Sequence, residues 1–106
     1  MTAEEAARII CANKNGEPGS FIWSMHEKAI FPPEAFRQLC RSIEALRRMP
    51  GYTAEISTIY QHILRLLICH FDPADRYEIQ NLPADYNDYL DMLGALVQAY
   101  YNTARN

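Results

Sequence analysis

The chain has 106 residues, of which 49% are hydrophobic and 22% are charged, and its formal net charge is −3. A chain of this length forms one domain, and this composition is that of a globular protein rather than a disordered one. No apolar run reaches the roughly 18 residues that a membrane-spanning helix needs. The N-terminus, Met1-Thr-Ala-Glu-Glu, lacks the basic-then-apolar order of a signal peptide. We therefore expect one cytoplasmic domain over residues 1–106 that does not bind membranes.

Helix-start signals open three predicted helices in the first half of the chain. Thr2 and Glu5 have the spacing of a capping box, which predicts a helix that ends near Asn13. Ser20 follows a Gly- and Pro-containing loop and is a candidate N-cap for a helix over 21–29. The third helix is predicted over 33–48, where it begins with the second of two prolines.

Three more helices are predicted in the second half. The fourth runs over 53–69, and because Leu66 and Ile68 widen its apolar stripe, we expect it to be the most buried. Asp72 followed by proline has the form of an N-cap and predicts a short helix over 72–79. The last helix is predicted over 83–103.

No segment alternates with a period of two, and no Asn-Gly or Asp-Gly turn lies between candidate strands. The sequence therefore predicts an all-α fold, a single-domain bundle of five or six helices.

The cysteines and histidines give little support for a metal site. Cys11, Cys40 and Cys69 are an odd number and lie in apolar helical patterns, where free cysteine behaves as a small hydrophobe. Cys69 and His70 would point about 100° apart on a helix, and a structural zinc needs four ligands. We interpret the pair as a buried cysteine beside a histidine at a helix end, and we expect no metal and no cofactor.

Catalytic patterns are also scarce. There is no glycine-rich phosphate loop, no Cys-x-x-Cys and no His-Glu-x-x-His in the sequence. Asp85, Asp88 and Asp91 follow one another at a spacing of three, but an exposed first helical turn gives no dry cleft to separate their pKa values. We interpret these acids as favouring a helix N-terminus, and we expect no enzyme activity.

Acidic residues are concentrated in one segment, residues 72–91, which we call the acidic segment. It holds six acids and one base, Arg76, with three tyrosines among them. Carboxylates speed encounter with a basic surface, and tyrosines give contact area at low entropic cost. The segment therefore predicts a binding surface for a cationic protein; its candidate contacts are Asp72, Asp75, Tyr77, Glu78, Asp85, Tyr86, Asp88, Tyr89 and Asp91.

Two other interpretations of these charges remain open. The acids can form a solvated face with the tyrosines at the edge of the core, or they can pair with an arginine cluster at residues 37, 41, 47 and 48. A helix-turn-helix interpretation of 33–48 and 53–69 offers only His62 and Arg65 as cations on its second helix. Since the acidic segment repels phosphates, we expect no nucleic-acid partner.

Several short motifs follow one another over residues 43–101. They are Ile43-Glu-Ala-Leu46, Arg48-Met-Pro-Gly-Tyr52, a long helix with Gln61, Ile63 and Leu66-Leu67, then Asp75-Arg76 and Ala99-Tyr100-Tyr101. In this order they resemble a family of small helical immunity proteins that protect bacteria from type VI secretion effectors, notably an NAD(P)-glycohydrolase toxin. The resemblance covers roughly 43–101 and implies a non-enzymatic cytoplasmic protein that binds a toxin domain and occludes its active site.

The leading hypothesis is therefore an immunity protein, a monomer or weak homodimer, that binds a cognate toxin through the acidic segment. The alternative is a helical adaptor or scaffold, either phage-encoded or homodimeric. For the adaptor, exposed Phe21, Trp23 and Phe31 around the Pro32-Pro33 break would form an apolar contact patch.

Overall fold

A computed structural model describes residues 1–104 of the chain as five α-helices, with no strand in that range. The helices are α1 Ala3–Lys14, α2 Phe21–Lys28, α3 Pro33–Ala45, α4 Thr53–Phe71 and α5 Tyr86–Ala104. The prediction of an all-α bundle is confirmed, with five helices rather than six. None of the helices in residues 1–104 is long and apolar enough to cross a lipid bilayer.

The starts of α1 and α2 have the side-chain caps that the sequence predicted. The Glu5 amide donates to Thr2 Oγ1 at 3.0 Å and the Thr2 amide donates to the Glu5 carboxylate at 3.4 Å, which completes the capping box of α1. The Trp23 amide donates to Ser20 Oγ at 3.2 Å at the start of α2. Local sequence therefore determines where these two helices begin.

The five helices pack as an elongated bundle with extents of 42 × 25 × 21 Å. Helices α1, α2 and α5 each pack against both α3 and α4, so that α3 and α4 each contact three other helices. Leu39 and Ile43 of α3, and Ile59 and Ile63 of α4, are at most 2% exposed. The core thus runs along the whole bundle between α3 and α4.

Phe21, Phe31 and Phe36, which we call the phenylalanine cluster, lie inside the bundle. Their ring centroids are 5.1 to 5.4 Å apart, and no member is more than 3% exposed. The expected exposed patch of Phe21, Trp23 and Phe31 is therefore wrong, because two of its three rings are core. Trp23 is half-buried, with the Lys28 ammonium 5.4 Å from its ring.

The segment predicted as a short helix over 72–79 is not helical. Asp72 accepts a hydrogen bond from the Ala74 amide at 2.9 Å, and Asp75 accepts one from the Tyr77 amide at 2.8 Å. Each carboxylate bonds the backbone two residues on, an Asx-turn that competes with helix formation. Asp72 thus follows the end of α4 instead of starting a helix of its own.

Two other helix ends differ from the prediction. Helix α3 ends at Ala45 rather than residue 48, because the Met49 amide bonds the Leu46 carbonyl at 2.8 Å in a tighter turn. Helix α5 begins at Tyr86 rather than residue 83, after turns closed by amides that donate to the carbonyls three residues earlier.

The three cysteines are free and lie in different surroundings. Cys40 is buried, and burial raises the pKa of its thiol to about 11. Cys69 is half-buried, whereas Cys11 is exposed, so the expectation that all three act as buried hydrophobes is wrong for Cys11.

Candidate protein-binding surface

The six carboxylates of the acidic segment all lie at the surface. Arg76 is exposed as well, so the single base of the segment is not turned inward to neutralise them. Three of the acids precede α5 in the non-helical stretch, one directly precedes its first residue, and two lie in its first turns. The exposed acids are Asp72, Asp75, Glu78, Asp85, Asp88 and Asp91.

No salt bridge joins these acids to the arginine cluster. Across residues 1–104, the one ion pair within 4.0 Å joins Arg37 to Glu34 at 2.7 Å, and this pair is local to α3. Arg41, Arg47 and Arg48 are exposed and make no ion pair there. The negative charge of the acidic segment is therefore available to a partner rather than consumed inside the fold.

The middle of the acidic segment is held against the link between α2 and α3. The Asn81 side chain makes two hydrogen bonds to the backbone of Phe31. Its Oδ1 accepts from the Phe31 amide at 2.6 Å, and its Nδ2 donates to the Phe31 carbonyl at 2.9 Å. The Gln80 amide donates to the Ala29 carbonyl at 2.8 Å. These bonds connect positions about fifty residues apart, and they fix the non-helical stretch without regular secondary structure.

Two further bonds fix the same stretch to α4 and α2. The Ile79 amide donates to Nδ1 of His70 at 2.8 Å, and the Tyr77 hydroxyl donates to the Met25 carbonyl. That carbonyl lies in the last turn of α2, where the helix itself supplies no partner. The acids are thus presented by an ordered backbone, which lowers the entropy cost of binding.

The three candidate tyrosines have different surroundings. Tyr77 and Tyr89 are half-buried and pack against the core; Tyr89 lies 5.6 Å from Phe31 and 5.4 Å from Phe36 between ring centroids. Burial raises the pKa of Tyr77 to about 12. Tyr86 instead packs on Phe71 at 5.3 Å, outside the core. Of the three rings, Tyr86 is the one that lies on an open apolar surface.

An apolar groove between α4 and α5, which we call the α4–α5 groove, was not predicted from the sequence. It has a volume of about 600 Å³. On its α4 side, Ile68 is 69% exposed and Phe71 is 54% exposed. Ile68 was expected to widen the buried stripe of α4, and that expectation is wrong. The groove is lined by Leu64, Leu67, Ile68, Phe71, Asp72, Tyr86 and Leu90.

The sequence contains a signal for this groove. Residues 63–69 are apolar on nearly every side of the helix, apart from one arginine. A helix that is apolar all round must either be surrounded by the fold or bind something else. Since α1, α2 and α5 leave one side of α4 uncovered, the apolar side chains on that side stay exposed.

The residues considered for catalysis or metal binding do not converge. Within residues 1–104 no group of three His, Cys, Asp or Glu side chains could hold a metal ion. The rings of His26 and His62 lie 5.4 Å apart, and burial, then His26 and Arg65, lower the pKa of His62. His70 uses Nδ1 to accept from the backbone, and Asp85, Asp88 and Asp91 are exposed, with none of them lining the α4–α5 groove.

The helix-turn-helix interpretation also finds no support in the packing. The apolar face of α4 contacts α1, α2 and α5. A recognition helix in the major groove of DNA must instead present a polar, cationic face. Helix α4 carries one lysine or arginine, Arg65.

A scan of protein-family models, a search of curated proteins and a search of solved structures found no match to this chain.

Proposed function

We propose that this protein is a non-enzymatic inhibitor of the immunity-protein type. In this proposal it binds a basic toxin or effector domain through the acidic segment and covers that domain's active site. The observation that carries the proposal is the set of six exposed carboxylates without ion-pair partners in residues 1–104, presented by an ordered backbone. Such a surface attracts cationic partners and repels anionic ones.

A toxin domain is the partner class that fits this surface best. A domain that binds phosphate-bearing substrates has a basic cleft, and a rigid acidic surface can occlude it without any chemistry of its own. The resemblance of residues 43–101 to immunity proteins of type VI secretion effectors supports the same class. The helical bundle adds a rigid scaffold, which suits tight binding with little rearrangement.

The first experiment is a pull-down of the tagged protein from its native lysate at low salt. We expect one stoichiometric partner that is basic and is toxic when expressed alone. Co-expression with this protein should then restore growth. Recovery of the protein only as a self-associated species, with no partner, would contradict the proposal and favour a homodimeric adaptor.

A charge variant tests the surface itself. We expect the double variant Asp85→Asn/Asp88→Asn to slow association with the captured partner about tenfold at low salt and to weaken the salt dependence. The matched control, Glu17→Gln/Glu27→Gln, removes the same charge from exposed positions outside the acidic segment. Equal association rates for both double variants, measured by stopped-flow fluorescence, would reject this surface.

A further inference from the structure

The α4–α5 groove has the shape and length to accept one helix. Leu64, Leu67, Ile68 and Phe71 follow the i, i+3, i+4, i+7 spacing of a single face of α4. Tyr86 and Leu90, one turn apart on α5, form the opposite wall. The α4 side extends over about 10 Å, or two helical turns. A helix from another molecule that lies between α4 and α5 would cover the apolar side chains of both walls.

The exposure of this groove is not explained by the fold. Leu67, at its floor, is 6% exposed and belongs to the core, whereas Ile68 and Phe71 at its rim are 69% and 54% exposed. Adjoining exposed apolar side chains rimmed by polar residues are one mark of a protein-interaction site. The Phe71 ring packs against Tyr86 at 5.3 Å between ring centroids, so the α4 side and the α5 side of the groove meet at this contact.

The charges beside the groove favour one kind of occupant. Asp72 is part of the lining, Asp85 directly precedes Tyr86, and Asp91 directly follows Leu90. The exposed Arg65, which directly follows Leu64 on α4, is the one lysine or arginine next in sequence to a lining residue, so the acids around the groove outnumber it three to one. A second copy of this chain, related by a two-fold axis, would bring the same carboxylates together, and like charges across an interface disfavour association.

We propose that the α4–α5 groove binds an amphipathic helix of a partner protein, with an apolar face of leucine-like side chains and lysine or arginine along its flanks. This helix-in-groove mode buries Ile68 and Phe71 under the apolar face while the flanking cations reach the carboxylates. The inference rests on the proposed function in one respect: the partner is the basic protein that the acidic segment attracts.

A synthetic peptide tests the groove without the natural partner. The probe is a fluorescein-labelled amphipathic Leu/Lys helix of about 14 residues, or four turns. Two further peptides are the controls: one of the same composition in scrambled order, and a Leu/Glu helix with the same pattern. We expect fluorescence anisotropy to show binding of the patterned Leu/Lys peptide at least about tenfold tighter than of either control.

Ile68→Ser is the matched variant for this test. Since Ile68 is 69% exposed, its replacement leaves the core intact, and circular dichroism melting checks this. Ile30→Ser is the control, because Ile30 is 37% exposed and lies outside the groove. We expect Ile68→Ser to weaken binding of the patterned peptide about tenfold or more, and Ile30→Ser to change it less than twofold.

Each other result overturns the inference in a distinct way. Equal binding of the scrambled peptide would show charge attraction alone, and equal binding of the Leu/Glu helix would show that the carboxylates play no part. Self-association of the free protein that Ile68→Ser abolishes would identify a second copy as the occupant. If the captured partner binds Ile68→Ser unchanged but loses affinity for Asp85→Asn/Asp88→Asn, the groove inference fails and the proposed function stands. The converse result, in which Ile68→Ser weakens binding and Asp85→Asn/Asp88→Asn does not, would keep the groove as a contact but contradict both the acidic surface and the cationic flanks of the occupant.

Discussion

Two aromatic clusters in this protein have opposite surroundings. The phenylalanine cluster lies between helices, and each of its members is at most 3% exposed. Phe71 and Tyr86 also contact each other, at 5.3 Å between ring centroids, yet Phe71 remains 54% exposed. Tyr89 is only three residues from Tyr86, but it packs on the buried cluster.

The difference distinguishes rings that stabilise the fold from rings that remain exposed at its surface. Rings enclosed by several helices gain the full free energy of apolar burial and the edge contacts between aromatic faces. A pair on the rim of a groove gains part of that free energy in the free protein, and the rest becomes available when a partner covers it. The first cluster therefore stabilises the bundle, and the second is suited to recognition.

The largest expected effect tests this division directly. Phe21→Ala leaves a cavity beside Phe31 and Phe36, and we expect it to lower the free energy of unfolding by about 3–5 kcal/mol. Phe71→Ala removes an exposed ring, and we expect a loss below about 1 kcal/mol. Urea denaturation measures both. Similar losses for the two variants would remove the distinction between the clusters.

We expect a smaller loss in the free energy of unfolding when the hydroxyl of the buried Tyr100, near the C-terminal end of α5, is removed. The Tyr100 hydroxyl donates to the Met49 carbonyl at 2.7 Å and accepts from the Tyr52 amide at 3.0 Å. Tyr100→Phe keeps the buried ring but leaves both backbone groups unpaired, and we expect a loss of about 1–3 kcal/mol in urea denaturation.

Tyr101→Phe is the control for that variant, because Tyr101 is the neighbouring tyrosine and its hydroxyl makes no hydrogen bond to residues 1–104. We expect Tyr101→Phe to leave the free energy of unfolding within about 0.5 kcal/mol of the parent protein. If Tyr100→Phe were as stable as this control, the hydroxyl would have no part in joining α5 to the α3–α4 link.

The helices could be predicted from the sequence because their signals are local. The capping box at Thr2 and the N-cap at Ser20 act within three residues, and the apolar periodicity of α3 and α4 acts within one helix. The wrong prediction for 72–79 has a nonlocal cause. An Asp-Pro pair suits both an N-cap and an Asx-turn, and bonds from Asn81 to Phe31, fifty residues away, favour the second.

The candidate site was predicted only in part for the same reason. The exposure of the acids in residues 72–91 could be predicted from the sequence, because charged side chains at this density stay at the surface. The apolar pattern placed Ile68 on the buried stripe of α4, since apolar periodicity says which residues share a face and not whether another helix covers that face. The packing of α1, α2 and α5 around α4 decides this, and it leaves the side with Ile68 open.

The last expected effect depends on pH and concerns Tyr77. Its ring packs on the core, while the carboxylates on either side of it in the acidic segment are exposed. Burial raises its pKa to about 12 from the ordinary value of 10.0. Because the folded protein holds this proton more tightly than the unfolded chain, the stabilisation is complete below pH 10 and is lost as the pH rises through 12. Phenylalanine cannot ionise. We therefore expect the urea midpoint of Tyr77→Phe to fall less steeply between pH 10 and 12 than the midpoint of the parent protein. The Cys40 thiol, with its pKa raised to about 11, contributes in the same direction in both proteins and so cancels in the comparison. Identical slopes between pH 10 and 12 would show that the Tyr77 hydroxyl is open to solvent and that the acidic segment is not held against α2 through it.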